Sequence, residues 1–90
     1  MIHELKTWPE PFEAMVSGAK NYEIRKNDRP FALGDMLWLR EWDPETQEYT
    51  GHSIHRRITY ITHPGEWGLP VDVCVLSLRR MTAEEIEQER

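Results

Sequence analysis

Ser17-Gly-Ala-Lys-Asn-Tyr-Glu-Ile-Arg-Lys-Asn-Asp-Arg29 opens on a helix stop and closes on a polar turn. Gly18 suits the left-handed residue that ends a helix. The segment after it carries Lys20, Glu23, Arg25 and Lys26. Asn27-Asp28-Arg29-Pro30 then has the composition of a turn. Six charged side chains fall between Lys20 and Arg29, leaving Ala19, Tyr22 and Ile24 as the local candidates for core anchors. So much charge on one strand of a small domain marks the stretch as a candidate site.

The flanking sequence supplies its setting. Ile2–Thr7 alternates (Ile2, Glu4, Lys6 against His3, Leu5, Thr7) and predicts a strand. Trp8-Pro9-Glu10-Pro11 interrupts it, and proline is tolerated in a first helical turn. Pro11–Ser17 predicts a short helix with Phe12, Met15 and Val16 on one face. Ala19–Lys26 is the next strand. After the Phe31–Asp35 loop, with its Gly34-Asp35 turn signal, Met36–Trp42 reads as a core strand that buries Trp38. Asp43–Gly51 has the chemistry of a long hairpin connection. His52–Thr62 is a strand with Ile54, Ile58 and Tyr60 on one face and His55, Arg57, Thr59 and Ile61 on the other. His63–Pro70 is an irregular loop, and Val71–Leu78 is the most apolar strand. Thr82 with Glu85 three residues on forms a capping box. The expected fold is α+β and β-rich, a small, partly open barrel with one short helix after the first strand. Residues 1–80 form the domain, and 81–90 form an acidic C-terminal tail, either a short helix or disordered.

Composition narrows the function classes. Ninety residues suit one domain with a thin core, about 60–65% of the unfolded surface being buried. A single cysteine, Cys74, permits no internal disulfide and fits a reducing cytoplasm. The chain shows no apolar leader or spanning run, so a soluble, cytoplasmic protein with no membrane role is expected. The net charge of −5 argues against bulk electrostatic capture of nucleic acid. The tail, however, holds four glutamates against one arginine, while Lys20–Arg29 carries four basic residues against two acidic. A local cationic cleft on an acidic protein is therefore compatible with the sequence.

Gly18-Ala-Lys20-Asn-Tyr-Glu23-Ile-Arg25 resembles the G-x-K-x-x-E-x-R signature of ASCH domains, which are PUA-like β-barrels associated with RNA. The wider series extends the likeness to a phage- and bacteria-borne branch of unassigned function. It runs through Lys6-x-Trp8-Pro9, Asn27-Asp28-Arg29-x-Phe31, Gly34-Asp35 and Glu41-Trp42-Asp43-Pro44, and covers roughly Ile2 to Leu78. The resemblance implies a cleft beside the first helix, lined by the signature strand. One branch removes the acetyl group from N4-acetylcytidine. There the lysine matching Lys20 is catalytic, a threonine stands at the position of Glu23, and a downstream glutamate completes the set. Glu66 and Asp72 are the candidates for that carboxylate here by position. Ribonuclease activity has also been attached to the family.

On these grounds Lys6, Trp8, Lys20, Glu23, Arg25, Asn27, Asp28 and Arg29 are the candidate ligand-binding residues, with Lys20 and Glu23 the catalytic candidates. Glu23 and Arg25, two apart on a strand, share a face and can equally form a structural pair. Trp8, in the turn before the helix, is the better cleft wall, and Trp42 a second possible stacking ring. Trp67 is placed to cap an open barrel end. His3 lies either at the cleft or on a solvated edge. Of Arg56 and Arg57, at most one can face the cleft, leaving the other to solvent. His52 and His55 are three apart on a strand and face opposite ways, so no metal site is expected. No cofactor is expected. Cys74 reads as a small buried hydrophobe.

The first-ranked function is an RNA-, nucleotide- or modified-base-binding module. A small hydrolase of a modified nucleoside or RNA is the alternative. A phage-encoded regulator that meets a protein partner through the acidic tail is the third reading.

Overall fold

The computed structural model describes residues 1–89. β1 (Ile2–Thr7) leads into α1 (Pro9–Ser17), then β2 (Tyr22–Lys26), β3 (Met36–Asp43), β4 (Glu48–Thr62), a 3₁₀ turn at Glu66–Gly68, β5 (Val73–Arg80) and α2 (Ala83–Glu89). The five strands form one sheet in the order β1-β3-β4-β5-β2, curled into a half-barrel. β1 runs parallel to β3, and the other pairings are antiparallel. The chain thus starts at one edge, crosses over α1 to the other edge, and returns.

The two edge strands face each other across an open seam. Arg25 Nη2 on β2 donates to the Lys6 carbonyl of β1 at 2.6 Å, and Arg29 Nη1 reaches the Glu4 carbonyl at 3.5 Å. Carbonyls two residues apart lie on one edge of a strand, so the guanidinium groups cover hydrogen-bonding positions where another strand would otherwise add.

The concave face is filled by Leu5, Leu37, Leu39, Ile58, Cys74, Leu76 and Leu78, with Met15 of α1 packed into it. Gly18 closes α1 at φ 88°, and its N–H donates to the Met15 carbonyl. No basic side chain stands in the last turn of α1. The sheet supplies them instead. Arg56 Nη2 donates to the Met15 carbonyl at 3.2 Å and Arg80 Nη2 to the Val16 carbonyl at 2.9 Å. Two cations thus complement the negative end of the helix dipole. Burial, then the neighbouring Arg80, lowers the pKa of Arg56.

Several boundaries and faces differ from the sequence expectation. β2 starts at Tyr22, because the Lys20 N–H still donates to the Ala14 carbonyl as the chain unwinds from α1. The β3–β4 connection is short. Gln47 takes φ 57° and its N–H bonds the Asp43 carbonyl, while Asp43 Oδ1 accepts the Glu45 N–H, so β4 begins at Glu48. The register of β4 on β5 shifts between Ile58 and Tyr60. This bulge turns Tyr60 outward and brings Ile61 against the core, reversing the expected alternation. Trp38 lies between the buried Leu37 and Leu39 and therefore faces the convex side, half-buried, stacked on His55 with Arg40 over its ring. Trp67 caps nothing; it is 93% exposed on a left-handed backbone.

His3 and Asp35 form a buried polar knot. His3 Nε2 lies 2.8 Å from Asp35 Oδ2, which also accepts the Ala32 N–H, and the Met1 amino group lies 3.2 Å from Oδ1. Burial alone would raise the Asp35 pKa, but these hydrogen bonds outweigh it and hold the carboxyl below its ordinary value. His3 is thus neither at the cleft nor solvated.

The acidic segment is a docked helix through Glu89. Glu85 accepts a bidentate bond from Arg79 and the Thr82 N–H, completing the capping box reciprocated by the Glu85 N–H to Thr82 Oγ1. Arg57 reaches Glu89 at 2.8 Å and Glu85 at 3.7 Å, so it is not solvated, and neither Arg56 nor Arg57 enters the cleft. The Arg79 hydrogen bonds, aided by the Thr82 N–H, draw the Glu85 pKa down to about 2. A lowered folded-state pKa contributes stability that is complete above the unfolded value near 4.5 and lost as pH falls toward 2. Amide chemical shifts of α2 should therefore report loosening of its contacts as pH falls through that window. Glu85→Gln should show the same loosening of α2 already at neutral pH, with the Arg57–Glu89 contact retained.

Candidate functional site

β2 turns Glu23 and Arg25 toward the seam, while Lys26 faces solvent with Tyr22 and Ile24. Tyr22 and Ile24, the expected core anchors, are 43% and 58% exposed, whereas Glu23 is 4% exposed. The inner face of this edge strand meets the seam, so charged groups there can pair with one another and still touch water. Glu23 Oε1 accepts Lys20 Nζ at 3.0 Å, and Oε2 accepts Arg25 Nε at 2.7 Å. Lys20 Nζ also donates to the Tyr22 carbonyl at 2.7 Å and lies 4.7 Å from the Tyr22 ring centre. Glu23 is thus clamped between two cations, and those cations line an open cleft.

That cleft, about 300 Å³, runs along the seam between Lys6, Thr7, Trp8 and Pro11 on one side and Lys20, Tyr22, Glu23, Ile24 and Arg25 on the other. Trp8 is the N-cap residue of α1 and is 58% exposed, a ring held at the cleft mouth by the strand before it and the proline after it. Lys6 lines the rim, although its ammonium lies 4.6 Å from the Trp42 ring centre. Trp42 is outside the lining. The cleft therefore collects Lys6, Trp8, Lys20, Glu23 and Arg25 from the sequence-level set.

Asn27, Asp28 and Arg29 lie outside the lining, on the loop after β2. The Asn27 N–H bonds the Asp72 carbonyl, and Arg29 is 3.9 Å from Asp28. Glu66 and Asp72 are also outside it. Glu66 Oε1 accepts the His63 N–H in its own loop, which removes both positional candidates for a downstream carboxylate from this cleft. His52 lies beside Phe12 and Val16 of α1, whereas His55 stacks on Trp38 across the sheet. Cys74 is fully buried, and burial pushes its thiol pKa up, the opposite of an activated thiolate.

Thr7, Pro11, Tyr22 and Ile24 also line the cleft, although the sequence did not mark them as site residues. Thr7 was recoverable, because the alternation of β1 places it on the same face as Leu5, next to Trp8. The exposure of Tyr22 and Ile24 carried no such signal.

The profile of a family described as a domain of unknown function (DUF3850) matches residues 2–78. The chain belongs to this family. The DUF3850 match takes in all five strands except the end of β5, together with both sides of the cleft. A similar protein is the "Uncharacterized 12.9 kDa protein in GpA 3'region" of Escherichia phage P2, 38% identical over 66 residues. That alignment spans 73% of this chain and 59% of the phage protein. No helix among the described residues is long and apolar enough to cross a membrane.

Proposed function

We propose that the seam cleft binds a nucleotide, free or as a modified or unstacked base within RNA. The observation that carries this reading is the convergence of Lys20, Glu23 and Arg25 on an open cleft walled by the exposed ring of Trp8. Hydrogen-bond accounting leaves donors to spare. Arg25 uses Nε and Nη2, and Lys20 uses two of its three protons. Arg25 Nη1 and the third Lys20 proton remain for an anionic oxygen. Trp8 offers a face on which a base can stack, an interaction of about 1–3 kcal/mol in single-strand sites. The ASCH, PUA-like resemblance points the same way, toward RNA.

Titration of wild type with the four nucleoside 5′-monophosphates and short single-stranded RNAs at low salt tests the reading by calorimetry and amide shifts. Binding should perturb Trp8, Lys20 and Arg25. Arg25→Lys keeps the charge but loses the guanidinium fork, and should weaken binding about tenfold. Absence of binding by every probe would reject the proposal.

The 3.0 Å contact between Lys20 and Glu23 supports a second reading, hydrolysis of a modified nucleoside by an acid–base pair. In the observed geometry Lys20 acts as a donor to two acceptors, so a role as base requires it to give up a proton and rearrange. Turnover of N4-acetylcytidine that disappears in Lys20→Ala would favour this reading; turnover that survives would reject the pair as its cause.

A further inference from the structure

Four polar or charged residues of the described structure are buried: His3, Thr7, Glu23 and Asp35. Three of them are hydrogen-bonded through their side chains, His3 with Asp35 and Glu23 with Lys20 and Arg25. Thr7 is 3% exposed, and its Oγ1 is buried without a hydrogen-bond partner. A buried, unpaired hydroxyl carries its full desolvation cost, and valine would fill the same volume without it. This residue lines the seam cleft, directly before the exposed ring of Trp8.

We propose that Thr7 is the polar contact at the inner wall of the cleft and hydrogen-bonds the edge of the base of a bound nucleotide. The inference rests on the nucleotide reading and deepens it by naming what reads the base. Trp8 takes the ring face, and Arg25 with Lys20 takes the phosphate at the open side. A change of one χ1 well moves Oγ1 among the staggered positions on Cβ, so the hydroxyl can turn toward a ligand without backbone movement. A hydroxyl both donates and accepts. Thr7 therefore accepts either an amino or a carbonyl edge and disfavours an apolar one. Glu23, already bonded to two cations, is left to position Lys20 and Arg25. The cleft volume, about 300 Å³, is at the lower end for small-molecule sites and suits one base more than an extended stack.

Thr7→Val and Thr7→Ser, compared with wild type, test the assignment. The probes are the four nucleoside 5′-monophosphates and ribose 5-phosphate, which keeps the anion and lacks the base. Thr7→Val should fold with a melting temperature equal to or above that of wild type. It should bind its preferred nucleotide 10- to 100-fold more weakly, with ribose 5-phosphate unaffected. Thr7→Ser, which retains the hydroxyl, should keep nucleotide affinity within about threefold. Equal nucleotide affinity in wild type and Thr7→Val would overturn the assignment while the nucleotide reading stands. So would wild-type affinity for ribose 5-phosphate as high as for the nucleotides, since the base would then go unread. Failure of wild type to bind any probe removes the nucleotide reading and the role of Thr7 with it.

Discussion

Glu23→Ala should destabilise the protein by about 2–3 kcal/mol, seen in urea unfolding as a lower midpoint with an unchanged slope. The Glu23 side chain is 6% exposed and holds Lys20 and Arg25 at 3.0 and 2.7 Å. Its loss leaves two cations facing each other beside the seam. Breaking a fully buried pair costs about 3–5 kcal/mol, and the value here is lower because Lys20 and Arg25 reach water. For a domain of this size the melting temperature should fall by roughly 10–20 °C. Lys20→Met in the Glu23→Ala background should recover part of the loss, because it removes one orphaned charge. A double-mutant cycle between the two positions isolates their coupling. A loss below about 0.5 kcal/mol would mean that the clamp is not structural, since ordinary surface substitutions fall in that range.

Leu39→Ala should cost more, about 3–4 kcal/mol, within the range for large-to-small changes at fully buried leucines. Leu39 is fully buried on β3, opposite Leu5 of β1 and Ile54 of β4. It therefore sits at the middle of an inward-facing rung, where backbone hydrogen bonds to both neighbouring strands limit how far they can shift to refill the space. A domain of this size has a total stability of only about 5–13 kcal/mol, so the variant should lose a large share of it and melt well below wild type. Thermal unfolding followed by far-UV circular dichroism measures this directly. A cost below about 1 kcal/mol would show that α1, through Met15, collapses into the cavity.

Much of the architecture was legible in local chemistry. The alternation of Ile2–Thr7, the Gly18 stop, the apolar run from Met36 and the Thr82 capping box each specify an element through interactions within a few residues. Hence one helix after the first strand, a β-rich sheet and the Thr82 capping box were readable, while the acidic tail was left as either a short helix or disordered. The charge on Lys20, Glu23 and Arg25 marked the strand that lines the cleft. Which face of a strand is buried is a different matter, because it depends on what the rest of the chain packs there. Tyr22 and Ile24 are more apolar than their neighbours, yet they point out, since the inward positions of β2 meet the seam and not the core. One bulge in β4 exchanged Tyr60 for Ile61. Sequence distance likewise concealed the pairing of His3 with Asp35, and of Arg56 and Arg80 with the end of α1.

Residue chemistry along the chain therefore determined the elements, their order and the charged strand that lines the cleft. Tertiary packing decided that β1 and β2 become opposing edges, with Arg25 reaching from one to the other. Only that closure turns the signature strand into one wall of a cleft and sets Thr7 and Trp8 in the other. Hydrogen bonds and side-chain periodicity act over a few residues, whereas burial is a property of the surfaces that the whole chain brings together.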